Sequence, residues 1–141
     1  MRIVLDTNIV VSALLWGGIP YRLIEATSAG TIELYSSPVL VAELAEILGR
    51  AHIEKKINEV GSSAEAILSH YAQLARIVSP TDVPRVVPND PDDDHLIACA
   101  LSAQADLVVT GDHGVLAIRK HQGIDIVAPA TALGRIEAIE R

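Results

Sequence analysis

Asp90, Asp92, Asp93 and Asp94 place four carboxylates in five positions, directly before the apolar run Leu96–Leu101. Two further acids follow short apolar triplets: Asp6 after Ile3-Val4-Leu5, and Asp112 after Leu107-Val108-Val109 and the pair Thr110-Gly111. One aspartate is enough to cap a helix, because its oxygens satisfy the orphan N–H groups of the first turn. A cluster exceeds that need, and like charges a few ångströms apart disfavour each other's ionisation unless a cation intervenes. The five histidines, at 52, 70, 95, 113 and 121, are scattered, and Cys99 is the sole cysteine, so no zinc pattern exists. Oxygen ligands alone select hard ions such as Mg²⁺ or Mn²⁺. Such ions hold phosphate oxygens and ease ionisation of bound water, which is phosphodiester chemistry.

Elements that alternate along the chain must position these acids. Ile3–Leu5 reads as a strand and Ile9–Trp16 as a helix, broken by Gly17-Gly18-Ile19-Pro20. Tyr21–Ala29 resumes helical spacing and Thr31–Tyr35 alternates as a strand. Ser36-Ser37-Pro38 supplies a cap and a first-turn proline for a helix over Val39–Leu48, which Gly49 ends. Helices over Ile53–Val60 and Ser62–Ala75 and a short strand at Ile77-Val78 precede a proline-rich loop between Pro80 and Pro91. A helix follows the acid cluster. Beyond it come the strand Leu107–Val109, a short helix around Val115–Lys120, the strand Ile124–Val127 and a final helix from Ala130.

Repeated strand-then-helix units imply one α/β domain over 1–141, a parallel sheet of about five short strands flanked by helices on both faces. Ile3–Leu5 and Leu107–Val109 are apolar at every position, as expected of strands buried on both faces, and are predicted to be neighbours near the centre. The crevice outside their carboxyl ends would then collect Asp6, Thr110 and Asp112, with the acid cluster at the start of the helix feeding the second strand. Glu43 and Glu46, one turn apart on the Val39–Leu48 helix, are both candidates to join them, and spacing does not choose.

At 141 residues and half apolar, the chain is long enough to bury a core, which should be aliphatic because it has no Phe, one Trp and three Tyr. The unpaired cysteine fits a reducing, cytoplasmic setting. The longest uncharged stretch near the N-terminus, Thr7–Tyr21, is interrupted by Gly17, Gly18 and Pro20 and is too short to span a bilayer, so a soluble protein is expected. A net charge of −7 argues against indiscriminate adhesion to nucleic acid. Basic residues nevertheless cluster at Arg50, His52, Lys55 and Lys56, and again at Arg119, Lys120 and His121, which can equally be ordinary solvated faces.

LDTN at 5–8, SSPVLVAEL at 36–44, DPDDDHLIACAL at 90–101 and ADLVVTGD at 105–112 together resemble the PIN domain family of Mg²⁺/Mn²⁺-dependent ribonucleases. The similarity is greatest to the branch of VapC-like toxins of toxin–antitoxin pairs, and it covers nearly the whole chain. The resemblance implies a quartet of metal-holding acids: Asp6, Glu43, Asp93 and Asp112. Thr110 matches the hydroxyl that accompanies the fourth acid, and Asn8 the polar position two after the first. For the third acid Asp93 is the better match, with Asp94 the fallback, Asp92 suited to the cap and Asp90 to shaping the loop. Relatives often carry another Asp two residues after the fourth acid, where this chain has Gly114 beside His113. The resemblance further implies an RNA substrate, an antitoxin partner and a homodimer. A haloacid-dehalogenase-type phosphohydrolase would need a second Asp two residues after Asp6 and finds Asn8. A non-catalytic PIN-like binding module would normally have lost acids that this chain retains.

Overall fold

The computed structural model describes residues 1–87 and 91–140, with the side chains of all of these except Pro91 and Asp92. Among the described residues, six strands form one sheet in the order β3-β2-β1-β4-β6-β5. They are β1 (Arg2–Leu5), β2 (Glu33–Ser36), β3 (Ala75–Ile77), β4 (Leu107–Val109), β5 (Lys120–His121) and β6 (Ile124–Val127). The helices are α1 (Thr7–Trp16), α2 (Gly18–Ser28), α3 (Pro38–Leu48), α4 (Ala51–Glu59), α5 (Ala64–Leu74), α6 (Pro91–Ala103), α7 (His113–Leu116) and α8 (Pro129–Glu140).

The two wholly apolar runs, Ile3–Leu5 and Leu107–Val109, lie in the central pair of strands. β1 and β4 run parallel, with Ile3 opposite Leu107, Val4 opposite Val108 and Leu5 opposite Val109. The alternating strands flank them, β2 beside β1 and β6 beside β4. Successive side chains of a strand point to opposite faces, and the core divides accordingly. Ile3, Leu5, Leu34, Leu107 and Val109 pack under α1, α2, α3, α5 and α8. Val4, Tyr35, Val108 and Ile126 pack under α6, through Leu96, Ile97, Cys99 and Ala100. Ile3–Leu5 and Leu107–Val109 are therefore apolar throughout because neither face meets water, and only Arg2, at the start of β1, is exposed.

Two expectations change. The break between α1 and α2 is confined to Gly17, whose φ of 76° suits glycine. Pro20 lies in the first turn of α2, where its missing N–H is no loss. The expected helix around Val115–Lys120 stops at Leu116, and Lys120–His121 forms β5, antiparallel to β6. Gln122 and Gly123, at φ 48° and 84°, make a two-residue turn with both residues left-handed, which suits a tight hairpin. Gln-Gly is a weaker hairpin signal than Asn-Gly, so this sixth strand escapes a reading of sequence pattern.

Among the described residues, no single helix is long and apolar enough to cross a membrane; α1 and α2 together reach that length but bend by 96° between them.

Candidate metal centre and active site

The carboxyl edge of the central strands forms the floor of the site. The Asp6 N–H donates to the Val109 carbonyl at 2.9 Å, carrying the β1–β4 pairing one residue past the strand. Asp6 then caps α1, with Oδ1 accepting the Asn8 N–H at 3.3 Å. Its Oδ2 accepts the Thr110 hydroxyl at 2.7 Å, and Thr110 Oγ1 accepts the Asp112 N–H at 3.1 Å. Asp112 in turn caps α7, with Oδ1 accepting the Val115 N–H at 3.0 Å. Both acids thus cap helices and face the crevice as well. Asp6 is 8% exposed and Thr110 fully buried, so the bond between them is shielded from water, while Asp112 at the other end of the network is exposed.

Above this floor lies a cavity of about 500 Å³ lined by Asp6, Asn8, Ile9, Ser12, Glu43, Asp93, Gly111 and Asp112. Four carboxylates arrive from four places in the chain: the end of β1, the middle of α3, the start of α6 and the loop after β4. Glu43 lines it; Glu46 lies outside the cavity and pairs with Arg50 at 2.9 Å on the solvent side of α3. Among the described residues the lining contains no Lys, Arg or His. A smaller cavity of about 210 Å³ between α2 and α8, beside the Arg22–Glu137 pair, holds no comparable cluster.

Asp94 takes a different path. It is 1% exposed, and its Oδ1 accepts the N–H groups of both Val86 and Val87 at 2.7 Å. Arg85 Nε approaches its Oδ2 at 3.4 Å. Burial alone would raise the pKa of this carboxyl. The hydrogen bonds from Val87 and Val86, with the positive charge of Arg85 and His95, outweigh that and hold it below its ordinary value. Asp94 ties the loop before α6 to the helix, and Val87 is seated in the core as a result. Adjacent residues on a helix point about 100° apart, so Asp93 and Asp94 face different surroundings. Asp90 lies outside the described residues, as does the side chain of Asp92, and with them the capping and loop-shaping roles expected of the two.

Ser12 was not singled out by its sequence context, although the signal existed. It lies four residues after Asn8, on the same face of α1. Gly114 is crowded: a Cβ there would stand 3.1 Å from Asp112 Oδ1. Cys99 is buried, and burial pushes its thiol up to about 12, so it offers no nucleophile.

The donor set consists of oxygens. Among the described residues no three acid, His or Cys side chains close around a point tightly enough to enclose an ion by themselves. A wide, four-carboxylate cavity suits a hard cation that keeps much of its water, as Mg²⁺ does, rather than a closed protein cage.

The PIN domain family model matches residues 2–114, from the start of β1 through the loop that carries Asp112. The chain belongs to the PIN domain family. Among solved structures, this PIN domain is similar to VapBC2 from Rickettsia felis, determined bound to a DNA fragment from its promoter. The TM-score is 0.62 at 16% identity, over 91% of this chain and 98% of that one. It is also similar to PAE2754 from Pyrobaculum aerophilum, with a TM-score of 0.60 at 14% identity, over 98% of this chain and 90% of that one. At these identities the likeness concerns the fold. No curated protein matches the chain.

Proposed function

We propose that this PIN domain is a Mg²⁺- or Mn²⁺-dependent endoribonuclease, the toxin of a toxin–antitoxin pair, acting in the cytoplasm. The observation that carries the reading is the convergence of Asp6, Glu43, Asp93 and Asp112 on one cavity at the carboxyl edge of the sheet. Such a cavity repels a phosphodiester until cations neutralise it.

In this reading the four acids hold one or two cations, directly or through water. Bound metal supplies the Lewis acidity that polarises a phosphate oxygen and eases ionisation of the attacking water. Thr110 fixes Oδ2 of Asp6 and the Asn8 N–H its Oδ1, which holds the carboxylate in place at the cavity it lines. Asn8, on the rim, orients a water or the carboxylate beside it. Water is the attacking group in this reading, so hydrolysis proceeds without a covalent enzyme intermediate. The fold shared with VapBC2 supports an antitoxin partner. Such a partner would present Arg or Lys to the carboxylates and compete with metal. A homodimer is the assembly proposed.

Mapping RNA 5′ ends in cells expressing the chain, against an Asp6→Asn control, tests the reading. New ends that depend on Asp6, reproduced by purified protein with Mn²⁺ and abolished by EDTA, are expected. Identical end profiles for the two chains would overturn it.

A further inference from the structure

Trp16 is the only tryptophan of a chain without phenylalanine, and it stands 56% exposed at the end of α1. A protein with an aliphatic core has left its largest side chain outside that core. Lys56 of α4 holds its ammonium 5.5 Å from the centroid of the indole ring. Lys56 belongs to the basic run noted in the sequence. His52 and Lys55 point outward from α4, while Ile53 and Ile57 turn into the core.

Asn8, Ser12 and Trp16 follow one another at intervals of four along α1 and so share a face. The first two line the acid cavity. Trp16 continues that face away from it, about 12 Å beyond Asn8 at 1.5 Å per residue. That is roughly the length of three to four stacked nucleotides. Until cations neutralise it the acid cavity repels a nucleic-acid backbone, so contacts outside the cavity are needed to add affinity for a strand. An aromatic face beside a cation is what single-stranded binding sites use: bases stack on the ring while the cation meets the phosphate.

We propose that the Asn8–Ser12–Trp16 face of α1, with Lys56 beside it, is the track along which single-stranded RNA leaves the acid cavity, with Trp16 as the base-stacking platform. The inference rests on the ribonuclease reading for its ligand. The strand is single because a base must be free of its duplex to stack on a side chain.

The lone tryptophan makes the test direct. An Asp6→Asn protein, titrated with a ten-nucleotide single-stranded RNA of mixed sequence, should show quenched indole fluorescence, and the same RNA annealed to its complement should not quench. In a wild-type background, Trp16→Ala should raise KM for that RNA roughly tenfold with kcat and melting temperature unchanged, and Trp16→Tyr should recover most of the loss. Lys56→Ala should lower the salt slope of binding, log K against log salt, by about 0.7. Absence of quenching overturns the inference. So does an unchanged KM in Trp16→Ala while the wild type cleaves, including a case where that variant only alters oligomeric state, which would make this face, with exposed Ile19 and Tyr21, a protein contact. Quenching by single strands from a wild-type protein that never cleaves them would sink the ribonuclease reading and leave the track standing.

Discussion

Thr110 donates its hydroxyl to Asp6 at 2.7 Å, joining residues 104 positions apart across the two central strands. The same oxygen accepts the Asp112 N–H, so one buried hydroxyl sets the positions of two acids that cap different helices.

Thr110→Val should therefore leave one oxygen of Asp6 and the Asp112 N–H without this partner. A loss of about 1–3 kcal/mol in unfolding free energy is expected. Metal affinity or RNA cleavage should fall roughly tenfold or more, as when groups orienting a metal ligand are removed. Thr110→Ser should restore both. Chemical denaturation alongside a Mn²⁺ titration separates the two effects, and full activity in Thr110→Val would show that the hydroxyl only packs.

Asp6→Asn, Glu43→Gln, Asp93→Asn and Asp112→Asn should each abolish Mn²⁺-dependent RNase activity, while Asp90→Asn should be nearly silent. Initial rates on a labelled RNA measure this. If Asp94→Asn costs more activity than Asp93→Asn at a temperature where both are folded, the third ligand has been misassigned.

Asp94→Ala should destabilise the fold by about 2–4 kcal/mol, because two backbone N–H groups lose a charged acceptor in a buried setting. The pKa of this carboxyl is lower in the folded protein, so the unfolded chain binds its proton more readily. Its stabilisation is fully present above the ordinary carboxyl range and is lost as pH falls through the lowered folded value. Wild type and Asp94→Ala should therefore converge in stability at acid pH and diverge toward neutrality. Parallel denaturation curves at both ends of that range check it, and a constant gap would assign the effect to packing.

Metal should stabilise the fold only through the acids. Binding confined to the folded state adds about 2.7 kcal/mol at a hundredfold excess over Kd. Asp6→Asn removes one repelling charge and one charged acceptor for Thr110, which offset, so it should melt near wild type in EDTA yet gain little from millimolar Mn²⁺. Equal Mn²⁺-induced shifts in the two proteins would show that Asp6 is not a ligand, and a large loss in EDTA would leave it the capping role alone.

The central pair of strands was legible in the sequence because burial on both faces leaves a mark at every residue: Ile3-Val4-Leu5 and Leu107-Val108-Val109 carry no polar position. Asp6 and Asp112 could then be placed at one rim, since a parallel pair brings its carboxyl ends together. The serine caps of α3 and α5 were legible to within a residue or two, with starts read at Val39 and Ser62 and found at Pro38 and Ala64, where the Ser37 and Ser63 hydroxyls accept from Leu40 and Ala66. Each of these signals is local or strictly periodic, and each survives in one dimension. The hairpin at Gln122-Gly123 does not, because its left-handed backbone is imposed by β5 pairing with β6. The resemblance favoured Asp93 over Asp94 for the cavity, but the separate task of Asp94 was not written in the spacing. Both are aspartates at the start of one helix, and only the rotation of α6 against the sheet, with the path of residues 85–87 beneath it, turns one carboxylate to the cavity and commits the other to two backbone N–H groups. Chemical type and period are written in the chain; which way a helix face turns depends on everything packed against it.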